Sequence, residues 1–280
     1  MCFVLKLQCY YHRMRGFTKA NNFVSFTCVD FTDGFFKKRY ELNKNVSLKS
    51  VKNQFEKSGR FNALRFNFHK TGKVPHIYYD SDVTKWIEAV AYLALKDREA
   101  MKEEEEFCDA LIDAMELAQR DDGYINSTHQ QITPDLIFKD RSRHELYCAG
   151  HLIEAAIEYH KATGKDKFLK IMERYCALIE RAFITEKTAS FVTPGHEEIE
   201  LALFKLYNHT KKEKYKDMAT YFLKIRGVAN EPMVKGDNRY YAQDDTDIYN
   251  LKEANGHSVR ALYLYSAIAD LALLDTRLQT

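Results

Sequence analysis

The sequence predicts a mainly α-helical protein in which αα-hairpins form a toroid with an inner and an outer layer of helices. Helix breakers are scarce, with 4 Pro and 11 Gly in 280 residues, which favours long helices. Apolar residues recur at helical spacing in about seven strong segments after residue 80. The connections at 163–168 and 210–215 share the pattern T-x-K-x-K-aromatic, so the repeating unit is a helical hairpin.

Residues 1–80 have a mixed pattern and are expected to pack on the toroid formed by residues 81–280. The alternation of apolar and polar residues over 22–30 predicts a short strand. Short helices are expected over 33–41 and 47–57. The N-terminal segment is therefore predicted to contain both a strand and helices.

The first strong helix is expected after Asp80-Ser81-Asp82, which are candidate N-caps. Its apolar positions have helical spacing and place Trp86 on the core side. The second helix follows the glutamate run 103–106, whose charges favour a solvated helix start near the positive end of the helix dipole. Further helices are predicted over 143–162, 166–181, 197–209, 213–226 and 257–274, the last of them buried on nearly all sides.

Composition excludes several classes of protein. The 42 basic and 40 acidic residues give a net charge of only +2, which is not the charge of a nucleic-acid binder or of a protein that binds anionic membranes. No apolar run approaches the roughly 18–20 residues needed to cross a bilayer, and the N-terminus lacks the apolar core of a signal peptide. The six cysteines form no C-x-x-C pair, so we expect a reduced, cytoplasmic setting.

A Gly-His pair recurs at 150–151, 195–196 and 256–257, and each pair is predicted to begin an inner helix. In a toroid the inner helices direct equivalent ends toward one mouth, so His151, His196 and His257 should converge there. Imidazoles in that position could hydrogen-bond a polyhydroxylated ligand or hold a metal. Each one could also simply cap its own helix.

A second pattern, His144-x₃-Cys148-x₂-His151, places three possible metal ligands on one helix face. Cys148 packed as a small apolar residue is the preferred interpretation, so no metal site is predicted from it. The turn at 122–126 is expected, by the symmetry of the hairpins, to lie at the end where the third helix begins.

Five segments, in this order, resemble glycoside hydrolase family 127, the β-L-arabinofuranosidase-like family. They are DSDVTKWIEA at 80–89, DGYIN at 122–126, HELYCAGHLIEAA at 144–156, GHEEIELAL at 195–203 and GHSVRALYLY at 256–265. The resemblance implies an (α/α)6 barrel. With about seven strong helices, the barrel is expected to be incomplete in this chain.

The resemblance also implies exo-acting, retaining removal of a terminal β-L-arabinofuranosyl or related sugar. In the family a zinc-bound Cys thiolate is the nucleophile and a Glu the general acid/base. Here His151, His196 and His257, with His144 as a further candidate, would hydrogen-bond the sugar.

The family's catalytic groups follow the segment matching 256–265. The chain is therefore expected to lack the zinc ligands, to have no identifiable catalytic residue and to be inactive alone, with a missing C-terminal half as a candidate partner. The loop at 243–250 has Asp245 where the family pattern has His, and Asp247 where it has Pro, which leaves the exact sugar open. Two alternatives remain: a non-catalytic carbohydrate-binding or scaffold protein, and another α/α-toroid sugar enzyme such as an epimerase.

Overall fold

The computed structural model describes residues 24–228, 238–275 and 278. Those residues contain twelve α-helices: α1 (Gly34–Leu42), α2 (Leu48–Ser58), α3 (Arg60–Leu64), α4 (Phe68–Thr71), α5 (Tyr79–Ala94), α6 (Lys102–Ala118), α7 (Ser127–Gln131), α8 (Glu145–Thr163), α9 (Lys167–Glu180), α10 (Ile199–Thr210), α11 (Glu213–Ile225) and α12 (Ser258–Ala272). The seven strong helices predicted from periodicity are α5, α6 and α8 to α12. None of the described helices is both long and apolar enough to cross a bilayer.

The helices form two layers, as the hairpin pattern predicts. In the inner layer α5 packs against α8, α8 against α10, and α10 against α12. The outer helices α9 and α11 pack on α8 and α10 respectively, and α6 packs against α9. The described residues thus form a mainly helical, two-layered arrangement consistent with an α/α toroid.

The predicted strand over 22–30 is wrong for its described part, which forms an exposed 3₁₀ turn, Phe26–Cys28. Lys96 of α5 donates hydrogen bonds to the carbonyl of Val29 and to the carboxylate of Asp30. A strand needs a partner for its backbone groups, and no strand occurs among the described residues. The segment instead lies along α5, with Phe26 against the ring of Tyr92 at 5.5 Å.

The helices α1 and α2 correspond to the two short helices predicted in the N-terminal segment. Both α2 and α3 pack on α5. Trp86 is buried, as predicted: its indole N–H donates to the carbonyl of Leu48 at 3.1 Å, and its ring meets Phe61 edge-on at 5.3 Å.

Asp80 does not cap α5, because that helix begins one residue earlier, at Tyr79. Its buried carboxylate accepts hydrogen bonds from the backbone N–H of Ser127, at 2.8 Å, and from the Ser127 hydroxyl. The start of α7 has unpaired N–H groups, and Asp80 satisfies one of them across the fold. Burial raises the pKa of Asp80 to about 6, although both bonds from Ser127 oppose the shift.

Two further expectations about surface exposure are wrong, the first of them in part: Glu103 and Glu106 are exposed. Glu104 and Glu105 in the predicted solvated run are buried, and Glu105 pairs with Arg98 and Lys165, each at 2.7 Å. Glu105 lies against the end of α8, where the Tyr159 hydroxyl donates to the Glu105 carbonyl at 3.2 Å. In α12, Leu262 is 65% exposed, whereas Leu264 faces the core, because α10 and α11 cover only part of this helix.

Candidate functional site at the ends of the inner helices

Three histidines occupy equivalent positions where inner helices begin. His144 is the N-cap residue of α8, with a φ of 61°, and His257 is the N-cap residue of α12. His196 lies just before α10, which starts at Ile199. The sequence pattern had placed His151 in this set, but α8 begins at Glu145, so His151 lies about two turns inside the helix.

Two tyrosines join the histidines in an aromatic cluster. The ring of Tyr147 lies 4.4 Å from that of His196 and 4.6 Å from that of His151. The His144 and His196 rings are 5.6 Å apart, and Tyr263 is 5.6 Å from His196. The structure therefore brings together three of the four predicted site residues.

His257, the fourth predicted residue, contacts a different ring. It lies edge-on to Tyr241 at 5.1 Å, and its Nδ1 accepts a hydrogen bond from the backbone N–H of Arg260 at 3.4 Å. It is one of the smaller causes of the depressed pKa of His196, after burial and Arg260. His257 thus caps α12 at the edge of the cluster.

The imidazoles of His144 and His196 are neutral at pH 7. Burial lowers the pKa of His144 to about 4 and that of His196 to about 3, and the nearby Arg260 charge adds to both shifts. Each Nδ1 lies close to a carbonyl that can only accept, Ser142 at 2.6 Å and Glu197 at 2.7 Å. Nδ1 therefore carries the proton, and each Nε2 is left as an acceptor.

The tyrosines were missed by sequence reasoning, although Tyr147 follows His144 at the i, i+3 spacing that shares a helix face. Lys85, on α5, donates to the Tyr147 hydroxyl at 2.7 Å. This bond orients the tyrosine from the neighbouring inner helix. Nothing local in the sequence pairs Lys85 with Tyr147, because the contact joins two helices.

The turn at 122–126 lies at the start of α8, as predicted. The Tyr124 hydroxyl donates to the carboxylate of Glu145 at 2.5 Å, and both side chains are buried. Burial raises the pKa of Glu145 to about 7, against the opposing hydrogen bond from Tyr124. Asn126 caps α7 by accepting a bond from the backbone N–H of His129.

A buried polar cluster lies beside the aromatic one, formed by His151, Glu154 and Glu198. The His151 Nδ1 is 3.5 Å from a carboxylate oxygen of Glu154 and 3.4 Å from one of Glu198. Lys205, on α10, donates to the other Glu154 oxygen. Burial, and then the Glu154 carboxylate, raise the pKa of Glu198 well above its usual value.

The thiols in the described part of the chain do not fit a zinc-thiolate centre. The Cys148 Sγ donates to the carbonyl of Ile77 at 3.2 Å, so it is not directed at a site between His144 and His151. Burial raises the pKa of Cys108, Cys148 and Cys176 above the ordinary thiol value, which keeps them protonated. Among the described residues, the group with metal-ligating geometry is His151, Glu154 and Glu198.

The loop that departs from the family pattern is held to the site by a buried ion pair. Asp244 accepts from Arg141 at 2.7 Å, and both side chains are almost fully buried. Asp245 accepts from the Thr246 hydroxyl at 3.0 Å, and Asp247 from the backbone N–H of Tyr249 at 3.0 Å. Asp245 and Asp247 therefore stabilise the loop itself.

Comparisons with known proteins agree with this arrangement. The chain matches the β-L-arabinofuranosidase GH127 catalytic domain family over residues 28–278. It is 32% identical over 230 residues to a non-reducing end β-L-arabinofuranosidase of Bifidobacterium longum subsp. longum, an alignment covering 71% of this chain and 34% of that protein.

Solved structures give the same assignment. A GH127 β-L-arabinofuranosidase from Geobacillus stearothermophilus T6 superposes with a TM-score of 0.78 at 34% identity, covering 89% of this chain and 43% of the other. A second GH127 β-arabinofuranosidase gives a TM-score of 0.75 at 30% identity, covering 89% and 40%. The chain thus spans less than half the length of these relatives. Together with the helix-end histidines, these matches show that the chain belongs to glycoside hydrolase family 127.

Proposed function

We propose that this chain forms the substrate-facing wall of the sugar pocket in a retaining exo-glycosidase of the β-L-arabinofuranosidase type. The observation that carries the proposal is the convergence of neutral imidazoles at the inner helix ends. His144 and His196 each direct Nδ1–H to a backbone carbonyl, which leaves Nε2 to accept from a sugar hydroxyl. The substrate class is that of the relatives, an L-arabinofuranoside or a related sugar.

The other residues of the site have supporting roles in this proposal. The rings of Tyr147 and Tyr263 would pack on the apolar face of the sugar. His257 would contribute a further polar contact from the start of α12. His151, buried behind Tyr147, would position that ring rather than bind the sugar as directly as His196.

We propose that the reacting groups, a zinc-bound Cys nucleophile and a Glu acid/base, come from outside this chain, in a C-terminal half. Support comes from Cys148, the described thiol nearest in sequence to the imidazole cluster, which donates to the carbonyl of Ile77 instead. When bound, zinc would lower the pKa of such a thiol and make it nucleophilic. The free, unbridged cysteines among the described residues also support the proposal of a reduced, cytoplasmic setting.

The test is calorimetry of the 280-residue chain with an aryl β-L-arabinofuranoside, together with a hydrolysis assay. We expect binding but negligible hydrolysis, because loss of acid/base assistance alone costs about 10²–10⁴-fold in rate. His196→Ala should weaken binding by roughly 10-fold, the value of a hydrogen bond of about 1.4 kcal/mol. His209→Ala is the matched control, because His209 pairs with His160 near the opposite end of α10.

Three outcomes separate this proposal from the alternatives. Clear hydrolysis by the chain alone would show that it holds its own reacting groups. Turnover of a free sugar that is lost in His151→Ala or His257→Ala would identify an epimerase-type enzyme. Micromolar binding by a stable monomer that never gains activity with a GH127 C-terminal half would instead favour a carbohydrate-binding protein.

A further inference from the structure

The polar cluster between α8 and α10 contains one carboxylate, that of Glu198, that has no hydrogen-bond donor among the described residues. His151, Glu154 and Glu198 have side chains that are 5%, 7% and 0% exposed. Within 24–228, 238–275 and 278, neither carboxylate oxygen of Glu198 has a hydrogen-bond partner, and neither does Nδ1 of His151. Burial of an ionisable group without a partner costs several kcal/mol, so an arrangement of this kind needs a cation or a proton between its members.

The spacing of the donor atoms matches the coordination sphere of a metal. Two ligands that each lie about 2.1 Å from a zinc ion at the tetrahedral angle are about 3.4 Å apart. The His151 Nδ1 lies 3.5 Å from Glu154 and 3.4 Å from Glu198, and all three donor atoms lie within 4.8 Å of one another. Three protein ligands with one open position are typical of catalytic zinc sites.

The surroundings orient the three side chains for this geometry. The Tyr263 hydroxyl lies 3.4 Å from Nε2 of His151, so it can accept the Nε2 proton and leave Nδ1 free as a ligand. Lys205 holds one oxygen of Glu154 and leaves the other toward His151. Partners of this kind fix the tautomer and orientation of metal ligands.

We propose that His151, Glu154 and Glu198 bind a divalent transition-metal ion, with Zn²⁺ the best match to the donor spacing. The donor set contains nitrogen and oxygen but no sulfur. It is therefore a different site from the thiolate-ligated zinc that the family resemblance implies. It lies beside the aromatic cluster, because the His151 ring contacts Tyr147 at 4.6 Å and Tyr263 at 5.9 Å.

The test is calorimetric titration of the metal-free, full-length chain with Zn²⁺. We expect about one ion per chain in the wild type and at least roughly 10-fold weaker binding in Glu198→Gln and His151→Asn, since loss even of an outer-shell partner typically costs 10–100-fold. Glu213→Gln, which changes an exposed glutamate paired with Lys216, should bind Zn²⁺ like the wild type. Zn²⁺ held by cysteines would survive all three substitutions.

A second measurement requires no variant. X-ray absorption of the Zn²⁺-loaded wild-type chain should show a first shell of nitrogen and oxygen with imidazole scattering and no sulfur. Sulfur in that shell, or Zn²⁺ binding that Glu198→Gln leaves unchanged, would overturn the proposal. Absence of stoichiometric binding would also overturn it and would mean that the two carboxyl groups share a proton. None of these readouts depends on sugar binding, so the metal-site proposal can be overturned while the proposed function stands.

Discussion

His144 combines an uncommon backbone conformation with a strongly lowered imidazole pKa. Its φ of 61° lies in the left-handed region, which Asn tolerates better than most residues. Burial lowers the pKa of its imidazole to about 4, whereas in the unfolded chain it titrates near 6.5. Between these values the unfolded chain binds more protons than the native protein, so this residue makes stability fall as the pH drops below about 6.5.

We therefore predict that His144→Asn reduces the acid sensitivity of the protein. From the pKa difference, His144 should account for up to about 2 kcal/mol of the stability lost between pH 7 and pH 5. Urea unfolding at both pH values measures the loss in each protein. The control is His69→Asn, which changes an exposed histidine and should leave the stability lost between pH 7 and pH 5 unchanged. If His144→Asn and the wild type lost equal stability over this range, the prediction would be contradicted.

At the scale of elements, Gly150 sets the distance between α8 and α10. A Cβ at this position would lie 2.4 Å from Cγ of Glu198 and 3.1 Å from the backbone N of Ile199. The sequence pattern drew attention to Gly150 because it precedes His151. Its structural role is instead to let α10 approach α8 closely, which also brings Glu198 beside His151.

Gly150→Ala should consequently destabilise the protein although Ala favours helix. The propensity gain of about 1 kcal/mol is opposed by overpacking, which typically costs 1–3 kcal/mol, and the contacts include backbone that cannot rotate away. We expect Gly150→Ala to unfold at a lower urea concentration, with an unchanged dependence of the unfolding free energy on urea concentration. A higher midpoint would mean that α8 and α10 separate without cost.

Across the whole molecule, buried arginines join segments that are distant in the chain. The Arg226 guanidinium is fully buried and pairs with Glu197 at 2.8 Å and with Glu200 at 2.9 Å. It also donates to the carbonyls of Pro194 and Ala242. One side chain thus connects the end of α11, the segment preceding α10 and the loop that leads to α12.

Arg226→Met should be among the most damaging single substitutions. It leaves two buried carboxylates without their cation, a change that typically costs about 3–5 kcal/mol. Arg226→Lys should retain part of the stability, because it keeps the charge but loses the fork-shaped geometry. Chemical unfolding should show that both variants are less stable than Arg98→Met. The Arg98 side chain is half exposed in its ion pair with Glu105, so loss of that pair should cost about 1 kcal/mol or less.

Local patterns in the sequence were sufficient to predict the helices and their pairing into hairpins. Apolar spacing depends only on neighbouring residues, and it correctly placed α5, α6 and α8 to α12 to within a few residues. The same kind of signal failed for residues 24–30, because a strand depends on a partner that local sequence does not contain. It also could not show that Asp80 accepts from Ser127 across the fold rather than capping its own helix.

The tertiary structure decided which polar groups share a site. The Gly-His repeat suggested three equivalent histidines, but the actual start of α8 puts His144 at the helix end and moves His151 inward. The contacts of Tyr147 with His196, and of His151 with Glu198, join residues of different helices. Burial and pKa follow from such long-range packing. The sequence could therefore name the imidazoles, whereas only the folded chain determined which of them are neutral and lie together.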